Sequence, residues 1–281
     1  MESTHVERLS ALGHPRRLAV FRMLMRRYPD AVPAGEIAAV LGARANTLSS
    51  YLSDLRQAGL IAQIRQGRSL LYRADMEQAG GLLGYLIEDC CRSRPALCPT
   101  SSPHGSPTAG GPFMTHRPYN VLFVCTGNSA RSIFAEAILS DIGGDRFHAF
   151  SAGTMPQSQL NPMALQVLAA NGHDTSCLRA KNVDEFRAPG APALDFIFTV
   201  CDRAANEDCP AWPGQPISGH WGQPDPVKVT GTEPERRLVY HQVYGALRRR
   251  IELFTTFDFT TLDRLAIQRA VDDLSTQEDP Q

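Results

Sequence analysis

Residues 93–118 show no secondary-structure pattern and divide this sequence into two parts. They are rich in Pro, Gly, Ser and Thr, with neither a helical period nor the alternation of a strand. Such a composition buries too little apolar surface to offset the entropy of ordering the chain, which is typical of a flexible linker. A chain of 281 residues is long enough for two domains. The sequence therefore predicts a first domain at 1–98, a linker at 99–117 and a second domain at 118–281.

Charge and cysteine are unevenly distributed along the chain. Residues 1–98 carry 13 arginines against 9 acidic residues, although the whole chain has a net charge of −1. A basic first domain favours a polyanion as its partner. The sequence has neither a membrane-spanning apolar run nor a signal-peptide core, so we expect a cytoplasmic protein without a membrane partner. Cysteines in that compartment are thiols, and the seven here are candidates for reactive or metal-binding roles.

The first domain has the pattern of an α+β winged helix-turn-helix. The predicted elements are helices over residues 16–27, 34–41, 46–58 and 76–91 and a two-stranded hairpin around Gly67 and Arg68. Two helices joined by a tight turn with glycine form the helix-turn-helix, and the hairpin supplies the wing.

This arrangement predicts DNA binding through the helix at 46–58, which would enter the major groove. Its outward polar residues would reach base edges or phosphates, and arginines on the hairpin would meet phosphates or the minor groove. These candidates are Asn46, Thr47, Ser49, Ser50, Ser53, Arg65, Arg68 and Arg73. The alternative is a helical hairpin that binds protein.

The first domain resembles the ArsR-type winged-helix repressors over nearly all of residues 5–98. The matching text is LSALGHPRRLAVFRMLMRR, EIAAVLGARANTLSSYLSDLRQAGLI and GRSLLYRA. The resemblance implies operator binding as a homodimer, with release when a metal or metalloid binds. Many members carry a cysteine pair in the recognition-helix region, which is absent here. Others place their thiols at the end of the last helix, where this chain has Cys90, Cys91 and Cys98.

Three thiolates at that position can form a pyramidal cage around a soft trivalent centre. We therefore predict an arsenite or antimonite site at Cys90, Cys91 and Cys98, with arsenite as the inducer. The alternatives are a zinc site completed by His104, or cysteines without a metal role. Adjacent cysteines suit zinc poorly, since zinc prefers four ligands that often come as two spaced pairs.

The second domain begins with a buried strand, NVLFV, followed by a loop with Cys125 and Arg131 six positions apart and then a helical pattern. Five intervening residues let the loop curl around a tetrahedral oxyanion, with backbone N–H groups pointing inward and the helix presenting its positive end. Arg131 would grip two anion oxygens and lower the pKa of Cys125, a nucleophile. Ser132 would donate to the sulfur, and Asn128 would hold the loop in shape. The other loop residues are Thr126, Gly127, Ser129 and Ala130.

The loop suits phosphate and arsenate equally, so it does not by itself distinguish a phosphatase from a reductase. Further cysteines in the sequence make that distinction. A phosphatase needs one cysteine and an acid, whereas a reductase needs additional thiols that accept the oxidation. Cys201 and Cys209 follow a second predicted strand, FIFTV, and can supply this relay, although both could also be ordinary core cysteines. Cys177 has no cysteine nearby, and we assign it no role.

The second domain resembles the arsenate reductases built on the low-molecular-weight tyrosine phosphatase fold, over about residues 119–255. The matching text is VLFVCTGNSARS, SAGTMPQSQLNPMALQVL, TVCDRAANEDCPAWPGQP and HWGQPDP. The resemblance implies a parallel α/β sheet and a set of roles. Cys125 attacks arsenate, Arg131 binds its oxygens and Asp225 protonates the departing oxygen. Cys201 then releases arsenite by forming a disulfide with Cys125, and Cys209 moves that disulfide outward.

The combined prediction is an arsenic-responsive repressor fused to an arsenate reductase, in which the product of one half induces the other. It implies no tightly bound cofactor. An external thiol reductant is needed, either thioredoxin or glutathione with glutaredoxin, because the interval between Cys201 and Cys209 leaves the donor open. One alternative is a phosphotyrosine phosphatase with an appended DNA-binding regulator, and another is a degenerate oxyanion sensor. Val227 after Asp225-Pro226, where phosphatases of this fold usually have an aromatic residue, disfavours the phosphatase.

Overall fold

The chain forms two compact units, one within residues 1–109 and the other within residues 110–281. The computed structural model describes residues 2–90, 117–207 and 212–276. Within those residues, no helix combines the length and the apolar character needed to cross a membrane. Most of the predicted linker lies outside the described residues.

The first unit is a winged helix-turn-helix, as predicted. Its elements are α1 (Glu2–Leu12), α2 (Pro15–Arg27), β1 (Val32–Pro33), α3 (Ala34–Leu41), α4 (Ala45–Gln57), β2 (Ile61–Gln66), β3 (Ser69–Ala74) and α5 (Met76–Tyr85). The strands form an antiparallel sheet in the order β1-β3-β2. Gly67, with a φ of +59°, makes the turn between β2 and β3. Leu48, Leu52 and Leu55 bury one face of α4 in the core.

Two features of the first unit differ from the predicted elements. Helix α1 and strand β1 are not among the predicted elements, and Val6 and Leu9 on α1 are exposed. The closing helix is also shorter than predicted, because the α-helix ends at Tyr85 and a π turn continues over Leu86–Cys90. Such π turns occur frequently at functional sites.

The second unit is an α/β fold with a parallel sheet, as predicted. Its elements are β4 (Tyr119–Cys125), α6 (Arg131–Ile142), β5 (Phe147–Gly153), α7 (Pro162–Ala170), β6 (Phe196–Thr199), α8 (Asp202–Asn206), β7 (Ile217–His220), α9 (Glu233–Thr255) and α10 (Arg264–Thr276). The four strands are all parallel and lie in the order β5-β4-β6-β7. The two helices α9 and α10 end the described part of this unit.

The sheet explains where a ligand can bind. Every residue of β4 is buried, because this strand is central and covered on both faces. Its neighbours β5 and β6 lie on opposite sides, so the strand order reverses at the carboxyl end of β4. Open α/β sheets bind ligands in the crevice at such a point. The loop from Cys125 to Arg131 lies at this crevice, at the carboxyl end of β4.

The chain enters this unit at the other end of the strands, where β4 and β6 begin. The guanidinium of Arg117 bonds both carboxylate oxygens of Asp195, at 2.7 and 3.1 Å. The same carboxylate accepts the backbone N–H of Asn120 at 2.8 Å. Arg117 is thus part of the second unit and not of the predicted linker, since it is anchored where β4 begins.

Candidate functional site

The carbonyls of the loop after β4 point outward, which leaves its amides free to face inward. Four of these carbonyls accept backbone hydrogen bonds from the segment after β5: Thr154 N to Cys125 O (3.1 Å), Met155 N to Thr126 O (2.9 Å), Gln157 N to Gly127 O (2.9 Å) and Asn161 N to Ser129 O (3.0 Å). A curled loop with inward amides at the start of a helix is a concave site for an anion. The geometry therefore matches the oxyanion loop predicted from the sequence.

Asn128 holds the loop in this shape. Its φ of +43° is a left-handed conformation that asparagine tolerates better than most residues. Its side-chain amide donates to the hydroxyls of Ser132 and Ser151 at 2.9 and 2.8 Å, and its Oδ1 accepts the N–H of Lys181 at 2.6 Å. Ser151 in turn donates to Glu136 at 2.5 Å, and Glu136 pairs with the Lys181 ammonium at 2.9 Å. This buried network locks the loop to α6 and β5.

The Cys125 sulfur lies 3.0 Å from the hydroxyl of Ser132 and accepts the backbone N–H of Asn128 at 3.1 Å. Since Ser132 already accepts from the Asn128 amide, its own proton is free to donate to the sulfur. Burial nevertheless raises the pKa of the Cys125 thiol, and the charge of nearby Cys201 raises it further. The Ser132 hydrogen bond and the charge of Arg131 act in the opposite direction. The predicted lowering of this pKa is therefore wrong for the resting site, because complete burial outweighs the donors.

Arg131 is held at the mouth of the loop by an acidic partner. Its guanidinium lies 3.1 Å from Oδ2 of Asp225 and donates to the carbonyl of Gln223 at 3.1 Å. Asp225 caps the short 3-10 turn Pro226–Lys228 by accepting the N–H of Val227 at 3.2 Å. An incoming oxyanion must compete with this carboxylate for the Arg131 fork.

Cys201 lies beside the loop, because it follows β6, which pairs with β4. It is buried and forms the N-cap of α8, where its sulfur accepts the N–H of Ala204 at 3.4 Å. The hydroxyl of Thr126, a loop residue, lies 3.5 Å from the same sulfur. The structure therefore places a second thiol beside the anion loop. Cys209 lies outside the described residues.

Sequence reasoning did not single out Ser151, Glu136, Lys181 and Gly153 as site residues. Ser151 and Gly153 belong to the text SAGTMPQSQLNPMALQVL, which was matched only as a resemblance. No local pattern marks Glu136 or Lys181, which become partners only through the packing of α6 against the chain after α7. Cys177 is exposed, and its sulfur lies 3.8 Å from the Ser176 hydroxyl.

Gly153 packs closely against the backbone of the anion loop, and a side chain at this position is expected to disrupt the loop. A Cβ atom would lie 2.6 Å from the carbonyl oxygen of Thr126 and 3.0 Å from the backbone nitrogen of Asn128. Gly153→Ala should therefore displace the loop, weaken oxyanion binding by at least about tenfold and lower the free energy of unfolding by about 1–3 kcal/mol. Calorimetric titration and chemical denaturation measure the two effects.

Gly245→Ala is the matched control, because it lies within α9 and its added methyl meets only the flexible Arg249 side chain. This variant should have the same affinity for phosphate or arsenate as the unaltered chain. An unchanged oxyanion affinity in Gly153→Ala would show that close packing of Gly153 against Thr126 and Asn128 does not hold the loop in shape.

In the first unit, the predicted DNA-contact residues lie along α4 and the hairpin. Asn46, Thr47, Ser49 and Ser50 are exposed, and Ser53 is half-buried. On the hairpin, Arg65 and Arg68 are exposed and Arg73 is half-buried. An ion pair of 2.8 Å between Arg17 on α2 and Asp54 on α4 fixes these two helices to each other.

Of the three predicted arsenite ligands, Cys90 is exposed at the end of the π turn. Cys91 and Cys98 lie outside the described residues.

Comparisons with known proteins agree with this division. Residues 12–64 match the model of a helix-turn-helix domain. The arsenate reductase of Halalkalibacterium halodurans is 34% identical over 134 residues, which are 48% of this chain and 93% of that protein. The arsenate reductase of Shouchella clausii is 35% identical over the same shares. The solved structure of an arsenate reductase in its oxidized state covers 49% of this chain and 96% of its own, with 25% identity and a TM-score of 0.41.

Residues 120–264, just over half of the sequence, match the family model of the low molecular weight phosphotyrosine protein phosphatases. Both relatives named above are also covered over nearly their whole length. With a helix-turn-helix domain in its first unit, the chain belongs through its second unit to the low molecular weight phosphotyrosine protein phosphatase family.

Proposed function

We propose that the second unit reduces arsenate to arsenite through Cys125 and a thiol relay, and that the first unit is a repressor that arsenite releases from operator DNA. The observation that carries the enzymatic part is the second sulfur, Cys201, beside the anion loop and in contact with Thr126. Hydrolysis of a phosphate ester needs one thiolate and an acid, but a two-electron reduction needs a thiol that can reach the first. The similarity to proteins named arsenate reductase supports the same choice.

The reaction balances as follows in this proposal. The Cys125 thiolate bonds to arsenic while one arsenate oxygen leaves as water, and Asp225 supplies a proton to it. The Cys201 thiolate attacks the Cys125 sulfur, and the electron pair of the sulfur–arsenic bond remains on arsenic, which leaves as arsenite. Cys209 then attacks Cys201, which releases the Cys125 thiolate and leaves a disulfide between 201 and 209. An external thiol reductant reduces that disulfide.

In this proposal, Arg131 binds the oxyanion and Asp225 transfers the proton. The inward amides and the Arg131 fork bind the oxyanion once Arg131 leaves Asp225. That release also frees Asp225 to face the departing oxygen, so one movement prepares both groups. The Ser132 hydroxyl, oriented by Asn128, stabilises the sulfur anion that burial alone disfavours.

Turnover of the intact chain tests the enzymatic proposal. Anaerobic arsenate reduction is measured with thioredoxin and its reductase, and separately with glutathione and glutaredoxin. Arsenite formation with either donor supports a reductase, and the faster system identifies the donor. Hydrolysis of an aryl phosphate without arsenate reduction would instead support the phosphatase that the family name suggests. Absence of both activities would support a degenerate oxyanion sensor.

Exposed polar residues on α4 and exposed arginines on the hairpin support operator binding by the first unit. The repressor is proposed to act as a homodimer. Val6 on α1 and Leu83 on α5 are more than half exposed, which supports these helices as the dimer contact.

Replacing Cys90, Cys91 and Cys98 with serine tests the inducer site. We expect the triple variant to bind operator DNA normally and to lose release by arsenite, because hydroxyls do not replace thiolates as ligands of a soft trivalent centre. Fluorescence anisotropy of labelled operator DNA measures both properties. Cys177→Ser is the control and should respond to arsenite as the unaltered chain does. Full arsenite release by the triple variant would disprove this site.

A further inference from the structure

The side chain of His220 contacts residues on both sides of Cys201. His220 ends β7, where its register partner on β6 is Thr199, which precedes Cys201 by two positions. The ring nitrogen Nδ1 lies 2.7 Å from the Thr199 hydroxyl, and Nε2 lies 3.2 Å from Oδ1 of Asp202, the residue after Cys201. One imidazole therefore bridges the two flanks of the thiol residue.

Hydrogen-bond donors and acceptors in this bridge are complementary. An ionised carboxylate only accepts hydrogen bonds, so Nε2 donates to Asp202. In a neutral imidazole Nδ1 then accepts, and the Thr199 hydroxyl is its donor. The His220 side chain is fully buried, whereas 56% of the Asp202 side chain is exposed. The bridge therefore ties an exposed carboxylate to a ring that is fixed in the core.

The chain before Cys201 is fixed separately, by the sheet. Val200 donates its N–H to the carbonyl of Val124 on β4 at 2.8 Å. After Cys201 the chain leaves the sheet and enters α8, in which Asp202 is the first residue. At that residue the contact with His220 ties the chain to β7. Cys201 is thus held between one anchor on β4 and another on β7.

The proposed reduction depends on the position of this thiol. The Cys201 thiolate forms a bond to the Cys125 sulfur, while the electron pair of the sulfur–arsenic bond leaves with arsenic as arsenite. This displacement requires the attacking sulfur to be close to the breaking bond and aligned with it, and a misplacement of about 1 Å can cost about 10²-fold in rate. The Cys201 sulfur, 3.5 Å from the Thr126 hydroxyl, lies beside the anion loop. The groups that hold Cys201 there therefore control how fast arsenite leaves.

We propose that His220 is a positioning residue of the reductase, which holds Cys201 beside the anion loop by bridging the residues on its two sides. The inference rests on the proposed reductase function. The imidazole takes no part in bond making, since it acts through the residues that flank the thiol. Oxyanion binding should not depend on it, because the loop carbonyls are bonded to the segment after β5 and Arg131 pairs with Asp225.

The test is a single turnover of the intact chain with arsenate and without external reductant. Samples are acid-quenched, and the rate of arsenite release is measured together with mass mapping of the disulfide between Cys125 and Cys201. His220→Leu removes both hydrogen bonds and should lower this rate about 10- to 100-fold, as expected for a displaced nucleophile. Phosphate affinity, measured by calorimetric titration, should stay unchanged. His148→Leu is the control, because His148 is an exposed histidine on β5, and both properties should be unaltered in it.

Asp202 provides a second test that does not alter the core. Asp202→Ala removes the acceptor from an exposed side chain and should lower the rate about tenfold. Asp202→Asn keeps an acceptor oxygen for Nε2 and should restore most of the rate. In the His220→Leu background, Asp202→Ala should have no further effect, because both changes break the same interaction.

An unchanged rate of arsenite release in Asp202→Ala, or in a folded His220→Leu variant, overturns the inference. A fall in phosphate affinity that matches the fall in rate also overturns it, because the histidine would then support the whole site and not the second thiol. The proposed function fails separately, if the unaltered chain forms no disulfide between Cys125 and Cys201 after arsenate is added.

Discussion

Cys201→Ser is expected to lower arsenate turnover by about 10³-fold or more, because a hydroxyl cannot accept the oxidation of Cys125. The substitution should slow arsenite release and leave arsenate binding unchanged, since the anion loop does not include the Cys201 side chain. Arsenite formation with each thiol system measures the loss. Aryl phosphate hydrolysis, if the unaltered chain shows any, should persist in the variant.

Two further measurements make this result specific to the relay. Because the charge of Cys201 raises the pKa of Cys125, its removal should lower that pKa and speed alkylation of Cys125 near neutral pH. Cys177→Ser is the control, and it should reduce arsenate at the normal rate because its thiol is exposed and lies outside the loop. Normal arsenate turnover in Cys201→Ser would refute the proposed relay.

Asp225→Asn is expected to change binding and turnover in opposite directions. The ion pair with Arg131 competes with an incoming oxyanion, so its loss should tighten phosphate or arsenate binding about tenfold, as for a hydrogen bond to a charged group worth about 1.5 kcal/mol. Turnover should fall about 10²- to 10⁴-fold, because an amide does not donate the proton that a general acid supplies. Calorimetric titration and steady-state rates measure the two effects.

Asp258→Asn is a suitable control for the change in net charge. Asp258 is exposed and follows α9. The charge of Arg146, which precedes β5, acts on it, so Asp258 lies near the amino end of that strand and not at the anion loop. Its replacement should leave both arsenate affinity and turnover within about twofold, because screened surface charges interact weakly. Weaker oxyanion binding in Asp225→Asn would mean that the carboxylate helps to build the site and does not compete for it.

Local patterns were sufficient to predict most of the first unit. Helix α2 begins at Pro15, one residue before its predicted start, and α3 ends at Leu41 as predicted, where Gly42 has a φ of +58°. These signals are local because they act through the backbone of one residue. By contrast, β1 has only two residues, Val32 and Pro33, and it exists because β3 offers a partner. Such pairing has no signature in so short a segment.

The candidate site was predictable where its chemistry lies in one loop, and less so where it depends on packing. The spacing of Cys125 and Arg131 locates the loop, and the structure brings Asp225 and Cys201 to it. The direction of the Cys125 pKa shift was not predictable, because burial and the approach of Cys201 arise from the pairing of β4 with β6. The Glu136–Lys181 pair is likewise a product of tertiary structure.

The ion pair between Arg117 and Asp195 fixes the place where the chain enters the second unit. Arg117 lies just before the start of β4, and Cys125 is the last residue of the same strand. The anion loop and the point where the chain enters this unit therefore lie at opposite ends of one strand. Changes to the length of the chain before Arg117 should therefore leave the geometry of the anion loop unaltered.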